Sequence, residues 1–276
     1  MPKKSVERAV APPPAPARRP AARGRRRDGG GPASAGVYAR LRELVVRGRL
    51  PPGARVTEAD VAERLAVSRT PAREALRRLH REGLLVATGG GRGAQTRLAV
   101  APITRAGVEE LYQLAGAVEG VAARAVGRMS PAERRALVAA LRAAEAAFRA
   151  EARRRPLDFD RLFERHDAFH RALLDRCAGP ETRALLESVR PRLDRYEWYY
   201  APLIGPDFGA TYAEHDDIIR AVRTGDADAA ERAMRANWWN GAERLAATIG
   251  DEPAGPLAPA PAGRRRRTVA GTPTAT

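Results

Sequence analysis

The chain has 276 residues, a length that suits two domains of ordinary size. Its single cysteine, Cys177, excludes a disulfide framework and a cysteine-rich zinc module and fits a reducing compartment. There is no run of about 18 uncharged apolar residues and no apolar stretch behind the basic N-terminus, so we expect neither a membrane span nor a secretory signal. Aromatic residues make up only 5%, which favours helix packing on Leu, Val and Ala. The composition predicts a helix-rich cytoplasmic protein.

The net charge of +16 is distributed unevenly. Residues 1–100 carry 22 basic and 8 acidic side chains, whereas residues 101–250 carry 23 of each. This asymmetry predicts that the first part meets a polyanion while the neutral part has another task. Residues 1–33 and 250–276, rich in Pro, Ala, Arg and Gly, predict a disordered basic arm and a disordered tail. Either segment would attract phosphates non-specifically or only keep the chain soluble.

Residues 34–100 show the element order of a winged helix-turn-helix. A first helix has apolar residues at helical spacing, namely Val37, Leu41, Leu44 and Val45, and ends at the RLPPG break. Thr57 is expected to cap a second helix and Ser68 a third, which ends at Gly83. Two short apolar or β-branched runs then enclose the turn TGGGRGAQ, which predicts a two-stranded wing.

The start of the third helix is the part of a helix-turn-helix that meets base edges. Arg69 and Arg73 lie four residues apart and project from one face, and arginine suits bidentate contact with guanine. Ser68 and Thr70 are expected to donate to phosphates, and Arg92 at the wing tip to enter the minor groove or touch the backbone. For each arginine taken alone, a solvent-facing position is the alternative.

Residues 101–249 indicate six helices without strand alternation, which predicts a bundle. The first predicted apolar stripe consists of Leu111, Leu114, Val118 and Val121, and the fourth of Leu185, Leu186, Val189 and Leu193. The bundle segment also holds three of the four histidines. HDAFH places His166 and His170 one turn apart, a common metal-ligand geometry, and His215 follows on a later helix. The alternative is that each histidine is a hydrogen-bonded core residue.

The stretch RLPPGARVTEADVAERLAVSRTPAREALRRLHREGLL resembles the DNA-binding domain of GntR-type bacterial transcription regulators. The resemblance is specific because the glycine, the cap, the SRTPxREAL run and the following EGL are in register. It implies that Arg69, Thr70 and Arg73 contact DNA together with the wing residues Gly91, Arg92 and Gly93. The wing is richer in glycine than the family pattern.

The segments ELYQLAGAVEG, HDAFHRALLDRCAGP and EHDDIIRAVRTGDADAAERAM resemble the all-helical ligand-binding domain of the FCD subgroup of that family. The resemblance implies a metal site at His166, His170, His215 and Asn237, with His166 where the family has Asp and Asn237 where it has His. Ala115 stands where an arginine is frequent. Three imidazoles favour zinc or nickel over magnesium or calcium, with Asn237 or solvent completing the site.

The sequence therefore predicts a mainly α protein with an N-terminal winged helix-turn-helix and a C-terminal FCD-like bundle. Its expected function is that of a transcription regulator, a repressor that binds a double-stranded DNA operator as a homodimer under the control of a small organic acid. If the site holds no metal, the effector pocket is expected to be lined by Arg192, Arg195, Tyr196, Trp198 and Tyr199. The alternative for that cluster is a helix face or a dimer contact.

Two rival functions belong to other classes. A metal-dependent enzyme built on the three histidines would leave the basic helix-turn-helix unexplained, and the sequence has no HExxH, nucleophile elbow or phosphate-binding GK[ST] loop. A non-specific nucleic-acid-binding protein that works through its arms would leave the neutral bundle without a task. We therefore expect a regulator rather than an enzyme.

Overall fold

The structure, a computed structural model, describes residues 32–89, 97–204 and 207–249. The first part contains, in chain order, α1 (Pro32–Val46), β1 (Arg55–Val56), α2 (Glu58–Arg64), α3 (Arg69–Arg81), β2 (Leu85–Thr88) and β3 (Arg97–Val100). The strands form an antiparallel sheet in the order β1-β3-β2, with Leu85 opposite Val100 and Val56 opposite Leu98. The predicted basic arm and tail lie outside the described residues, apart from residues 32–33, which begin α1.

The sequence pattern accounts for this helix-turn-helix. The predicted stripe of α1 is buried against the apolar face of α3, in a core that includes Val37, Leu41, Leu44, Val45, Ala72, Leu76 and Leu79. The Thr57 hydroxyl accepts the Asp60 N–H at 3.1 Å, which confirms the cap of α2. Ser68 has the extended N-cap backbone of α3, but its side chain makes no capping hydrogen bond. Strand β1 was not predicted, because two residues have no periodicity and their pairing with β3 is non-local.

The second part is a bundle of six α-helices in the described residues, as predicted. They are α4 (Arg105–Ala123), α5 (Pro131–Ala152), α6 (Phe159–Cys177), α7 (Pro180–Ile204), α8 (Gly209–Thr224) and α9 (Ala227–Ala246), with a 3₁₀ turn (Arg124–Arg128) after α4. Ser130 and Glu133 form a reciprocal capping box at the start of α5. Among the described helices, none combines the length and apolarity that crossing a membrane requires.

The predicted apolar stripes are wrong at three positions. Leu114, Val121 and Leu185 are 40%, 61% and 46% exposed, respectively. Where α4 meets α9, its buried face consists of small residues such as Gly116 and Gly120, which let α9 approach closely. An ideal Cβ on Gly116 would lie 2.9 Å from the Trp238 Cβ, so a larger side chain would force the helices apart. Periodicity arguments weight large apolar residues and therefore miss an interface made of glycine and alanine.

Helix α7 joins the two parts. Arg42 of α1 donates to Asp194 of α7 at 2.8 Å. Arg47, just after α1, pairs with Asp160 of α6 at 2.8 Å and lies 4.8 Å from the Trp198 ring centroid. These ion pairs are partly exposed and individually weak, but together they fix which surface of the bundle faces the helix-turn-helix. The same junction brings Gly48 against the Tyr199 ring.

Two glycines offer a matched test of this junction. Gly48 and Gly53 have φ of +68° and +75°, so alanine at either position is strained by about 1 kcal/mol. Only at Gly48 would the added Cβ meet a neighbour, Tyr199 Cε2 at 3.0 Å, whereas at Gly53 nothing lies within 4 Å. We expect Gly48→Ala to lower the free energy of unfolding measurably more than Gly53→Ala in urea titrations followed by circular dichroism. Equal losses would contradict the contact.

Candidate functional site

The N-terminal half of α3 presents the predicted DNA contacts to solvent. Ser68, Arg69, Thr70 and Arg73 are all exposed, while Ala72, Ala75, Leu76 and Leu79 on the opposite side are buried. The helix is therefore held by its apolar face, and its polar face is free to enter a groove. The wing residues Gly91, Arg92 and Gly93 lie outside the described residues, so their role stays a prediction.

Arg73 is not a freely rotating side chain. Its Nε donates to Glu58 Oε1 at 2.7 Å and its Nη2 to Glu58 Oε2 at 2.9 Å, which makes a bidentate fork between α3 and α2. The hydrogen bond to Arg73 lowers the pKa of Glu58, so the acid stays ionised. The sequence did not single out Glu58 in this role, since the two residues are 15 positions apart.

The second candidate site is a cluster of three histidines in the bundle. His166 and His170 on α6 and His215 on α8 each offer one ring nitrogen, and these nitrogens all lie within 4.8 Å of one another. His170 and His215 are 2% and 0% exposed. The His166 ring stacks on that of His215, with centroids 5.4 Å apart and planes 17° apart. The tertiary structure thus brings together the three histidines that the sequence selected.

Two buried carboxylates fix the orientation of the histidine rings. His170 Nδ1 lies 2.8 Å from Glu119 of α4, and His215 Nδ1 lies 2.5 Å from Glu145 of α5. A carboxylate accepts, so each Nδ1 carries a proton, and in the neutral form of the ring each Nε2 keeps its lone pair. Neither Nε2 has a hydrogen-bond partner among the described residues, although both are buried. Two buried Nε2 atoms without a hydrogen-bond partner are suited to act as metal ligands. Carboxylate partners at Nδ1 are also common for metal-ligating histidines, because they hold the ring in its orientation.

The protonation of the histidines follows from their surroundings. Burial lowers the pKa of His166 well below its usual value, and the nearby His170 and His215 lower it further. Burial also lowers the pKa of His215, against the opposing hydrogen bond to Glu145. For His170, burial acts downward, but the charge and hydrogen bond of Glu119 outweigh it and raise the pKa. His166 and His215 are thus neutral near pH 7, the form that binds a cation.

Two members of the cluster, His166 and His170, line a cavity of about 110 Å³ with mostly apolar walls. Its polar lining comes from His166, His170, Glu197, Asp207, Thr211, Asn237 and Arg244, and its aromatic lining includes Phe148, Phe163, Phe208 and Trp238. Burial raises the pKa of Glu197 to about 7, and neighbouring Arg190 only partly offsets that shift. Glu197 is therefore a hydrogen-bond donor for a good part of the population at neutral pH.

Asn237, the fourth predicted ligand, lies on α9 and lines the same cavity. Its amide Nδ2 donates to Glu214 at 2.9 Å. The same carboxylate accepts from Asn240 and from both terminal nitrogens of Arg244. Asn237 is thus oriented by a neighbour on α8, which leaves its carbonyl oxygen and its second amide N–H for other partners.

The predicted effector-pocket residues lie elsewhere. Arg192, Arg195, Tyr196 and Tyr199 face the junction with the N-terminal part and lie outside the lining of the histidine cavity. Arg195 donates to the Ala101 carbonyl, and the Tyr196 hydroxyl accepts the Thr104 N–H at 3.4 Å. A separate cavity at this junction is lined by residues that include Gly83, Arg192, Arg195 and Tyr196. Their role in binding an effector stays a prediction.

Several residues around the histidines were missed from sequence. Glu119 and Glu145 are the main ones, and the signal for Glu145 was present. It lies four residues after buried Leu141 and three before buried Phe148, so it sits on an apolar stripe where an unpaired charge would be costly. Arg244 and Glu197 have no such signal, because their place at the cavity depends on how the helices cross.

Two family models cover most of the described chain. The model for bacterial regulatory proteins of the gntR family matches residues 33–94, and the FCD domain model matches residues 110–238. An HTH-type transcriptional regulator of Streptomyces ambofaciens is 29% identical over 72% of this chain and 79% of its own length. The HTH-type transcriptional repressor RspR of Escherichia coli K12 is 28% identical over 74% of this chain and 84% of its own.

Solved structures agree on the fold. A putative GntR transcriptional regulator from Rhodococcus sp. RHA1 superposes with a TM-score of 0.57 at 23% identity, covering 79% of this chain and 99% of its own. At that identity the likeness concerns the fold alone. It confirms the mainly α architecture of a helix-turn-helix followed by a helical domain.

Proposed function

Because the chain belongs to the GntR family of bacterial regulatory proteins and carries an FCD domain, we propose that this transcription regulator is a repressor whose operator binding is controlled by a small effector in the bundle. The family assignment makes it a DNA-binding regulator rather than an enzyme. Support for the repressor sign comes from the relative named as a repressor. A regulator of this kind would work in the cytoplasm, where the chromosomal DNA is.

The exposed start of α3 carries this proposal. Arg69, Thr70 and Arg73 form a polar edge on a helix that is anchored from behind by Leu76 and Leu79. We propose that this edge reads bases in the major groove of a double-stranded operator. A homodimer on a palindromic site would place two such helices in successive grooves. Leu114, Val121 and Trp239 leave exposed apolar surface on α4 and α9 that is compatible with association.

We further propose that the histidine cluster holds a divalent cation, with zinc or nickel the best match to imidazole donors. His166, His170 and His215 would be the ligands, and Asn237 or solvent would complete the site. The orphaned Nε2 atoms of His170 and His215 support this assignment. When bound, such a cation supplies positive charge and an open position for an anionic oxygen ligand. Glu119 and Glu145 hold the rings in place for it.

The effector that fits this cavity is a small organic acid. The mostly apolar walls suit the hydrocarbon part of such an acid, and the cavity of about 110 Å³ limits its size. With Ala115 where the family often has arginine, the chain has no guanidinium at that position. Arg244 is the cavity arginine in the described residues, but Glu214 already engages it at 2.7 Å. The cation would therefore be the main attraction for a carboxylate.

Helix α7 offers a route from the cavity to the DNA-binding part. Asp167, next to His166, pairs with Arg190 at 2.5 Å, and Arg190 pairs with Asp194 at 2.7 Å. Asp194 in turn accepts from Arg42 of α1 at 2.8 Å. Glu197, one turn beyond, lines the cavity itself. A ligand that shifts α7 would thus change how α1 packs on the bundle. Allosteric control requires such a difference in contacts between the ligand-free and ligand-bound states.

Operator binding is the first test. In gel shifts at fixed salt on DNA from upstream of its own gene, we expect Arg69→Ala and Arg73→Ala each to weaken binding by about tenfold, because each removes a base contact. Arg220→Ala on α8 is the control and should leave affinity unchanged.

A panel of short mono- and dicarboxylates, with and without zinc, should include one that releases the DNA. Retention that does not depend on sequence would instead support the non-specific binder.

Metal content is the second test. We expect about one zinc or nickel per chain by elemental mass spectrometry, and a large loss in the His170→Ala/His215→Ala variant. His80→Ala, which alters the histidine on α3, is the matched control and should keep its metal. Because His170 and His215 are core residues, the half-buried His166→Ala provides a milder variant, checked by circular dichroism. Unchanged metal in both site variants would rule out this cluster.

Coupling through α7 is the third test. The releasing acid weakens operator binding by a certain factor in the wild type. In Asp194→Asn we expect that factor to be at least threefold smaller, since coupling energies of this kind are typically about 1–3 kcal/mol. Operator affinity without the acid should stay within about twofold of wild type. Asp175→Asn, which removes a surface ion pair between α6 and Arg183, is the control. Full release by the Asp194 variant would show that coupling runs by another route.

A further inference from the structure

The row of arginines on α3 contains one member that is held by an acid. Arg69, Arg73 and Arg77 are spaced four residues apart and are all exposed. Glu58, the first residue of α2, forms the fork with Arg73, at 2.7 Å and 2.9 Å. Of these three arginines, Arg73 is the one that the described residues hold in an ion pair. An exposed pair of this kind adds little to stability, so its main effect is on the direction of the Arg73 side chain.

Both residues of the fork stand on helices that are packed against each other. Glu58 is held at the start of α2 by the Thr57 cap, whose hydroxyl bonds the Asp60 N–H. Arg73 follows buried Ala72 on α3, and Val61 of α2 shares a core with that helix. The fork therefore spans two packed helices and restrains the direction in which the guanidinium points.

The fork leaves the reading edge of Arg73 open. Arginine has five N–H donors, and Glu58 takes Nε–H and one on Nη2. Two on Nη1 and one on Nη2 remain, and they include the end-on pair that matches guanine O6 and N7. A side chain that is already ordered also loses less conformational entropy when it binds.

We propose that Glu58 is a positioning residue for DNA recognition, which fixes Arg73 for base reading and at the same time reduces its attraction to phosphates. The inference rests on the proposed role of α3 in operator binding. The reduced attraction to phosphates follows from charge, because a carboxylate beside the DNA backbone opposes the sequence-independent attraction between arginine and phosphate. Glu58 thus raises the ratio of specific to non-specific affinity rather than affinity in general.

The test compares Glu58→Gln with Glu63→Gln, an equal charge change at an exposed position of the same helix. We expect Glu58→Gln to weaken operator binding about tenfold while binding to random-sequence DNA stays equal or tightens. A loss of α2 structure would weaken binding to both DNAs, so weaker operator binding without weaker random-sequence binding identifies a positioning role. Glu63→Gln should leave the ratio of the two affinities within about twofold of wild type. A parallel loss on both DNAs, or no loss on the operator, overturns the proposal.

A base-by-base scan of the operator separates this inference from the proposed function. Glu58→Gln should flatten the preference at the base pair that Arg73→Ala flattens and leave the one assigned to Arg69 intact. In the Arg73→Ala background, Glu58→Gln should have no further effect on operator preference. If Arg73→Ala abolishes the preference while Glu58→Gln does not, only the positioning role fails. If Arg69→Ala and Arg73→Ala both keep the full preference, the proposed reading by α3 fails.

Discussion

The pairing of two buried imidazoles with two buried carboxylates is the constraint on which the bundle is organised. Glu119 and Glu145 are 2% and 5% exposed, and each would be costly in the core without a partner. His170 and His215 supply those partners from α6 and α8, while the carboxylates come from α4 and α5. The four helices pack in the register that makes both pairs, and a shift of one helix along its axis would break the pair in which it takes part.

These pairs also determine what the site can do. With each Nδ1 turned to a carboxylate, the Nε2 atoms face the interior and lack partners in the described structure. Glu119 additionally accepts the Trp238 indole N–H at 2.9 Å, so the position of α9, with Asn237, is tied to the same carboxylate. The cation and effector proposed for this cavity would bind to groups whose orientation the fold has already set. Little reorganisation would remain for the moment of binding.

In the DNA-binding part, affinity and selectivity have different physical sources. Its arginines are exposed, and salt screens their attraction to phosphates, so charge by itself gives affinity without selectivity. Selectivity needs a fixed direction, and the packed faces of α2 and α3 together with the fork at Arg73 provide one. The contacts of α7 with α1 then connect this surface to the bundle through Asp194 and Trp198. Both sites thus depend on side chains held from a second helix.

The sequence by itself determined the elements and the family. Helical periodicity, the Thr57 cap and the proline and glycine breaks act over a few residues, so they are legible along the chain, and the spacing of His166 and His170 fixes one face of α6. Tertiary structure alone decided the partners: Glu119 lies 51 residues from His170, and Arg192 and Tyr196 turned out to face the junction rather than the histidines. The small-residue contact between α4 and α9 and the fork of Glu58 with Arg73 are likewise consequences of how helices cross. Local preferences fix where a helix begins and ends, but which of its sides meets which neighbour is settled only when all the buried surfaces and charges are satisfied together.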